Sequence, residues 1–271
     1  MPKVREKPNL RDLGRKLLKD GPVKTLPTPR RVRILFDGSY VADTTDALFV
    51  WEHEYYPYYY VPRTAFAKHA LQPSSPKQSG LWFWEAELHG ATRSTGRILV
   101  FGSAEAIGGG KSEAECLADM VRVEFDVVDA WFEEDTRIHV HPKDPYRRVD
   151  TLLSSRPLKV RVLGQLVAET TAAVHLYETG LPCRYYVPPT AVPPHVLQES
   201  GETTACPYKG VANYYDVVVE GKKAPGLIWY YRNPTLECAA IAGYLCFYHE
   251  KDEVEIEIDG EVVPSPKTPW S

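Results

Sequence analysis

The chain is poor in cysteine and contains no closely spaced cysteine pair. Its 271 residues include five cysteines, at positions 116, 183, 206, 238 and 246. An odd number of widely separated thiols excludes a regular disulfide framework, and without a CxxC pair we expect no structural zinc or other metal site. The sequence shows no motif for an organic cofactor.

Long hydrophobic runs are also missing from the sequence. No stretch of about 18 apolar residues occurs, and the N-terminal residues lack the apolar segment of a secretory signal. Together with the widely spaced thiols, this composition predicts a soluble, intracellular (cytoplasmic) protein that does not enter a membrane.

Positive charge is concentrated at the N-terminus. Residues 1–33 hold eleven Lys or Arg against three Asp or Glu, which gives +8, so the rest of a chain with net charge −4 carries −12. Such an arm could bind nucleic acid or an anionic membrane, but we expect it to fold back on the acidic body or to stay solvated. The leucine spacing predicts a helix over residues 9–19, and residues 22–29 are interpreted as a linker.

The sequence repeats itself at an offset of 126, so that residues 32–74 align with residues 158–200 without a gap. The matches include Gly38 with Gly164, Glu52 with Glu178, and the YYVP motif at 59–62 with the one at 185–188. So many identities indicate a duplication. Farther along, the offset becomes 130 at Gly96 and Gly226, and 122 at Phe125 and Phe247.

The duplication predicts the domain organisation. We expect a basic arm and linker over residues 1–30, a first β-domain over 31–150, a second over 157–264 and a tail over 265–271. With 17 Tyr, 6 Trp and 23 Pro, the composition favours short strands and structured loops. Alternating apolar residues predict strands over 33–36, 40–43, 159–162, 166–169, 214–220, 227–231 and 253–258. One short helix is predicted over 236–247, so each copy is mostly β with at most one short helix.

The second copy carries polar and aromatic groups that the first copy lacks. Residues 206–210 read CPYKG, and no Cys or Tyr-Lys-Gly occurs at the corresponding place in the first copy. Trp229-Tyr230-Tyr231 aligns with Leu99-Val100-Phe101, and Arg184 aligns with Tyr58. The first copy is therefore interpreted as the degenerate one, paired with the second inside a monomer as a pseudo-dimer.

Four stretches carry a resemblance to a known family: YETGLPCRYYVP (177–188), CPYKG (206–210), NPTLECAAIAGYLCFY (233–248) and VDAWFEEDTRIHVHPKDPYRRVD (128–150). They resemble the tandem form of the domain-of-unknown-function 427 family, which is sometimes labelled nucleotidyltransferase-like. The resemblance implies a compact β-tent-like fold. The second-copy residues that match recurrent family positions are Glu178, Arg184, Tyr186, Cys206, Tyr208, Lys209, Gly210, Tyr214, Trp229 and Tyr231.

The nucleotidyltransferase label finds no support in the residues. Nucleotidyl transfer needs closely spaced carboxylates that hold Mg²⁺ after a Gly-Ser turn, and Glu124-Phe125-Asp126 lies too far from Gly102-Ser103. The segment GGGKS at 108–112 lacks the GxxxxGK[ST] spacing of a phosphate-binding loop and is interpreted as a surface loop.

We therefore expect the second domain to bind a small planar or anionic metabolite. Arg184 and Lys209 would bind its charge, and Glu178 would orient it or act as acid and base. The aromatic residues would stack on the ligand or line its pocket, although rings on alternating strands can equally be core; they are Tyr186, Tyr208, Tyr214, Trp229 and Tyr231.

Two alternatives stay open. In the first, the protein is a transferase or hydrolase with Cys206 as nucleophile, because a nearby ammonium such as Lys209 favours the thiolate. Its general base would be His195 or His249. In the second, the basic arm and Trp82-Phe83-Trp84 form a module that docks protein or nucleic acid.

Overall fold

A computed structural model describes residues 7–75, 82–107 and 114–268, so the GGGKS segment lies outside the described residues. The fold is mostly β, as predicted, and the chain divides into a first unit, Arg5–Asp144, and a second unit, Pro145–Ser271. Among the described residues, no helix is long and apolar enough to cross a membrane.

The described residues of the first unit contain an α-helix of eleven residues, an α-helix of four residues and two sheets. The seven-stranded sheet has the order β1-β4-β5-β9-β8-β7-β6, and the four-stranded sheet has the order β11-β10-β2-β3. The elements are α1 (Leu10–Asp20), β1 (Lys24–Pro27), β2 (Val32–Phe36), β3 (Ser39–Thr44), β4 (Leu48–Trp51), β5 (Tyr58–Pro62), β6 (Leu71–Pro73), β7 (Phe83–His89), β8 (Ser94–Phe101), α2 (Ala104–Ile107), β9 (Met120–Val123), β10 (Ala130–Glu133) and β11 (Thr136–Ile138).

The second unit repeats this plan without an α-helix in residues 145–268. Its large sheet has the order β12-β15-β16-β20-β19-β18-β17, and its small sheet has the order β14-β13-β21-β22. The elements are β12 (Val149–Ser154), β13 (Leu158–Val162), β14 (Gln165–Thr170), β15 (Ala173–Glu178), β16 (Arg184–Val187), β17 (Leu197–Cys206), β18 (Gly210–Val219), β19 (Lys222–Tyr231), β20 (Leu245–Phe247), β21 (Val254–Ile258) and β22 (Glu261–Val262). Short 3₁₀ turns include Pro194–Val196 and Leu236–Ile241.

The predicted tandem β-fold is confirmed, and two local predictions are wrong. The helix expected over 236–247 is a 3₁₀ turn followed by strand β20, because the buried residues 245–247 pair with both β16 and β19. The linker expected over 22–29 contains strand β1, which pairs with β4 at the edge of the sheet. Prolines are tolerated there, since an edge strand has one row of backbone groups without a partner strand.

Each large sheet has two buried faces. The inner face packs against the small sheet, which in the second unit gives a core that includes Val160, Val217 and Ile256. In the first unit the outer face is covered by helix α1, whose buried residues are Leu10, Leu13, Gly14 and Leu17. The arm also makes ion pairs within its own unit, such as Arg11 with Glu85. The N-terminal segment therefore folds back, as expected.

The strand registers show which residues of the two copies are equivalent. Tyr60 pairs with Arg122 in the first unit, and its equivalent Tyr186 pairs with Cys246 in the second. The offset at this strand is therefore 124, and the predicted match of Phe125 with Phe247 is wrong. Trp229 also pairs with Cys246, as Leu99 does with Arg122, so the match of Leu99 with Trp229 is supported.

Candidate functional site

The outer face of the second large sheet gathers most of the residues that the sequence singles out. Alternation along the strands turns their side chains to one side of the sheet. Tyr186, Trp229 and Tyr231 are at least nine-tenths buried in a cluster there, and Tyr214 packs against it at its margin. Tyr186 and Tyr231, 45 positions apart in sequence, thus share one face.

The CPYKG motif forms the turn of the hairpin between β17 and β18, where Cys206 pairs with Gly210. Gly210 has a φ of +98°, a conformation that side-chain-bearing residues rarely adopt. The turn is held against the segment after β19, because the backbone N–H of Thr235 donates to the Lys209 carbonyl at 3.1 Å and the Thr235 hydroxyl donates to the Tyr208 carbonyl. The turn is therefore a fixed part of the domain.

Lys209 makes the central contact of the site. Its ammonium group pairs with the Glu178 carboxylate, and its Nζ lies 3.8 Å from the Cys206 Sγ. The side chains of Lys209 and Glu178 are only 9% and 8% exposed. Burial alone disfavours the charged ammonium, but the neighbouring Cys206 and Glu178 side chains outweigh this effect and raise the pKa of Lys209. Lys209 therefore stays charged at neutral pH beside a half-buried thiol.

Arg184 forms a second buried ion pair on the same face. Its Nη1 donates to Glu250 Oε2 at 2.7 Å, its Nη2 donates to the other oxygen, and the Glu250 side chain is 3% exposed. The guanidinium lies over the Trp229 ring, 5.4 Å from the centroid, and the Trp229 Nε1–H donates to the Tyr186 hydroxyl at 3.1 Å. Charge and aromatic rings are therefore arranged in one connected network.

The margin of the cluster reaches the surface. Cys206, Arg184 and Tyr214 are partly exposed, and the Tyr214 hydroxyl forms a 2.7 Å hydrogen bond with that of the exposed Thr204. By contrast, burial raises the pKa of Tyr186 and Tyr231 well above their ordinary value, so both phenols stay neutral. A molecule arriving from solvent meets the margin before the buried rings.

The first unit has a different network at the equivalent place. Glu52 is buried there as well, but it is bonded by Arg122 and by the Tyr60 hydroxyl, and Arg122 also donates to Glu124 at 3.2 Å. The second unit has Cys246 where the first has Arg122, and its carboxylate takes a cation from the CPYKG turn instead. Both copies therefore keep a buried acid with a cationic partner, and in the second copy that partner also contacts a thiol.

The two histidines considered as a base for Cys206 lie elsewhere. His195 is exposed in the turn before β17, whereas Cys206 is the last residue of that strand, more than about 20 Å away at the rise of its partner strand β18. The ring of His249 is bonded to the Val263 carbonyl oxygen at 3.2 Å. The structure therefore brings neither histidine to the thiol.

Sequence reasoning missed three contributors to this face. Glu250 pairs with Arg184, Tyr248 packs edge-on against Trp229 with centroids 4.8 Å apart, and Cys246 lies at the centre of the sheet. Glu250 follows YLCFYH in the sequence, and only the pairing of β20 with β16 brings it near Arg184. With the corrected offset of 124, Cys246 aligns with Arg122, and this alignment is the sequence signal that could have found it.

The carboxylates weighed for nucleotidyl transfer have other partners. Glu124 is bonded to Arg97 and Arg122, and the exposed Asp126 pairs with Lys7. Within the part of the chain that the structure describes, no three His, Cys, Asp or Glu side chains are placed to hold a metal ion. A groove of about 440 Å³ lies away from the cluster and is lined by Arg161, Leu163, Gly164, Asp252, Glu253 and Glu255.

Comparison with known families identifies the chain's family. The sequence model of one protein family, described as domain of unknown function (DUF427), matches residues 24–88 and 150–262, one segment in each structural unit. The matched segments cover more than half of the sequence, and the chain belongs to this family. A search of curated proteins gives no match.

Proposed function

We propose that the second domain binds a small planar metabolite at the margin of the outer face, against Cys206, Tyr214 and Arg184. One observation carries the proposal: the first unit closes its equivalent face with helix α1, whereas residues 145–268 contain no α-helix. In the second unit, the 3₁₀ turn Leu236–Ile241 packs on part of this face, and aromatic and charged side chains occupy the rest. Such a margin, with flat rings and directed polar groups, suits a planar ligand.

The charges of the cluster narrow the ligand class. Lys209 pairs with Glu178 and Arg184 pairs with Glu250, so these four side chains together carry no net charge. A strongly anionic ligand would have to compete with two buried carboxylates. We therefore propose a planar ligand with at most a modest charge, stacked on Tyr214 and held at its edge by the Arg184 guanidinium.

A thermal-shift screen of nucleosides, coenzymes and aromatic acids tests this proposal. A ligand at about 100 times its dissociation constant stabilises the folded state by about 2.7 kcal/mol. We expect Tyr214→Ala to remove the shift of any hit, and Tyr215→Ala to keep it. Tyr215 is also half-buried but lies on the opposite face, stacked on Tyr230 with centroids 4.8 Å apart. Equal loss in both variants would contradict binding at this margin.

A second candidate function is catalysis by the Cys206 thiol, which the 3.8 Å contact with the Lys209 ammonium favours. An adjacent cation stabilises the thiolate, the form of cysteine that attacks electrophiles. Alkylation of Cys206 at neutral pH, followed peptide by peptide, is expected to slow several-fold in Lys209→Met and to stay unchanged in Lys223→Met. Lys223 pairs with Asp216 in the same unit. An unchanged rate in Lys209→Met would remove this candidate.

We also propose a cellular location and an oligomeric state for the whole protein. All five cysteines are free, as a cytoplasmic protein requires, and we propose that location together with a monomeric state in which the two copies pair. Light scattering coupled to size-exclusion chromatography measures the second point. A stable dimer would contradict it.

A further inference from the structure

The segment that follows β22 turns back onto the loop after β20. Its base is fixed, because the Val263 side chain packs against the core between the two sheets and its backbone N–H donates to the Ile256 carbonyl oxygen at 2.8 Å. The Val263 carbonyl oxygen is bonded to the ring of His249 at 3.2 Å. Residues 264–268, the strap, therefore begin beside the residue that precedes Glu250.

The end of the strap reaches the outer-face site. The Ser265 hydroxyl donates to the His249 carbonyl oxygen at 2.8 Å, and the Thr268 hydroxyl donates to Glu250 Oε1 at 3.4 Å. The same Oε1 accepts a hydrogen bond from Arg184 Nη2. Thr268 thus lies next to the Arg184 guanidinium, and with the strap in place the Arg184 side chain is only 17% exposed.

The strap is held more weakly than its base. Among the described residues, no backbone–backbone hydrogen bond joins residues 264–268 to the rest of the unit. Pro264 and Pro266 have no N–H to donate, and residues 264, 265 and 267 are exposed. Hydrogen bonds between hydroxyl groups and oxygen are normally about 2.5–3.0 Å long, so the Thr268 contact is a weak one. Segments with few buried contacts open at low cost, and this one can open while Val263 stays anchored.

The first copy contains a related segment that makes a different contact. Residues 141–146 (HPKDPY) match residues 265–270 (SPKTPW) at an offset of 124, with the lysine and both prolines identical. The residue aligned with Thr268 is Asp144, which is 8% exposed and accepts a hydrogen bond from the Trp51 Nε1–H at 3.1 Å. The strap is therefore a repeated part of the domain. In the second copy a hydroxyl replaces the buried carboxylate and bonds the acid of the outer-face site.

We propose that the strap is a gate on the outer-face site, which closes over Arg184 and opens to admit the planar ligand. The ligand in this inference rests on the proposed function, whereas the opening of the strap does not. In the closed form Glu250 accepts hydrogen bonds from both Arg184 and Thr268, and in the open form it keeps Arg184 alone. One face of the guanidinium lies over the Trp229 ring, so departure of the strap gives a flat molecule access to the outer side of the guanidinium.

Modification of arginine by phenylglyoxal tests the gate without any bound metabolite. This reagent is planar and uncharged, and mass spectrometry of peptides gives the rate at each arginine. A group that is accessible only in the open form reacts in proportion to the open fraction. In a variant that ends at Val263, we therefore expect Arg184 to react at least about fivefold faster than in the full-length protein. The exposed Arg232 of the same unit should react at the same rate in both proteins.

Full-length variants separate opening of the strap from an effect of truncation on folding. Ser265→Ala combined with Thr268→Val removes both hydroxyl contacts and should raise the Arg184 rate about twofold or more. Lys267→Ala is the matched control, because this side chain is exposed on the same strap, and it should leave the rate unchanged. If calorimetry shows that the truncated protein is misfolded, the double variant decides the test.

The gate and the ligand site fail in different ways. An Arg184 rate equal to that of wild type in the truncated protein, or in the double variant where that one decides, would overturn the gate, whatever the thermal-shift screen shows. Faster modification of Arg184 with an unchanged Arg232 supports the gate. A thermal-shift screen of the truncated protein that stays flat would then contradict the ligand and not the opening of the strap.

Discussion

Breaking the ion pair between Lys209 and Glu178 provides the sharpest test of how the outer-face site is built. Lys209→Met removes the ammonium but keeps much of the aliphatic side chain. The Glu178 carboxylate then stays buried without its charged partner. The prediction is a large loss of stability of the second unit, caused by the stranded carboxylate and not by a cavity.

The expected magnitude follows from the burial of the pair. Both side chains are less than one-tenth exposed, and removing one member of such a pair costs about 3–5 kcal/mol. For a unit of about 130 residues, each 1 kcal/mol lowers the melting temperature by about 3–4 °C. Lys209→Met should therefore lower the midpoint of the second unit by about 10–20 °C.

A double-mutant cycle separates the stranded charge from lost packing. Lys209→Met combined with Glu178→Met replaces the pair by apolar side chains of similar size, an exchange that is often neutral or stabilising. By calorimetry, we expect the free energy of unfolding of the double variant to lie within about 1 kcal/mol of the wild-type value. The matched variant in the first unit is Arg122→Met, which strands the equivalent carboxylate of Glu52.

One result would refute this reasoning. If Lys209→Met costs less than about 1 kcal/mol, the Glu178 carboxylate must reach water or another donor, as an exposed pair does. If the double variant is as unstable as the single one, the loss comes from packing around the turn. Either outcome would also contradict the view that Lys209 stabilises the site as a buried ammonium.

Three further predictions concern packing, backbone conformation and acid stability. Gly14→Ala should destabilise the first unit by about 1–3 kcal/mol in a urea titration, because a Cβ there would lie 2.6 Å from the Phe83 ring. Gly210→Ala should cost more than about 1 kcal/mol by calorimetry, because the residue has a φ of +98° and its Cβ would lie 3.3 Å from a backbone carbonyl oxygen. Burial opposes ionisation of Glu250, but hydrogen bonds from Arg184 outweigh it and lower the pKa of Glu250 below its ordinary 4.5. This stabilisation is present above the unfolded-state pKa and is lost as pH falls through the folded one, so Glu250→Gln should reduce stability at pH 6 more than at pH 3.

The repeat and most of the strands could be predicted from the sequence alone. Strands such as Val32–Phe36 and Leu158–Val162 have one face in the core, so their apolar residues alternate, and a glycine turn follows each. That pattern is local, and it survives duplication because each copy needs it to bury its own core. The YYVP motif is preserved in both copies for the same reason.

The elements that were mispredicted are the ones whose structure depends on distant partners. Leu245–Phe247 is buried on both faces, so its sequence shows no alternation and resembles an apolar helix. Lys24–Pro27 is bounded by prolines and is extended only because it pairs with β4. In both cases the tertiary pairing decides the conformation and the local propensity does not.

In the candidate site too, some contacts could be predicted from the sequence and others could not. Glu178, Cys206 and Lys209 were grouped from sequence, and in the structure Lys209 contacts the other two. Cys206 and Lys209 lie in one turn, whereas Glu178 ends β15, which is separated from β18 by three strands of the same sheet. The partner of Arg184 was not predicted. Its carboxylate is 66 residues away, and charge compensation of this kind leaves no mark on local composition.

The two copies resolve the same physical problem with different residues, and this difference explains why chemistry is expected in only one of them. A buried carboxylate needs a cation, and in the first unit Arg122 supplies it from the middle of the sheet, where solvent does not reach. In the second unit Cys246 occupies that position, so the cation comes from Lys209 at the end of a hairpin. Moving the cation to a turn places it beside Cys206, at the margin of the domain. A structural ion pair thereby gains contact with a partly exposed thiol, and it is at this thiol that we propose a ligand or an electrophile arrives.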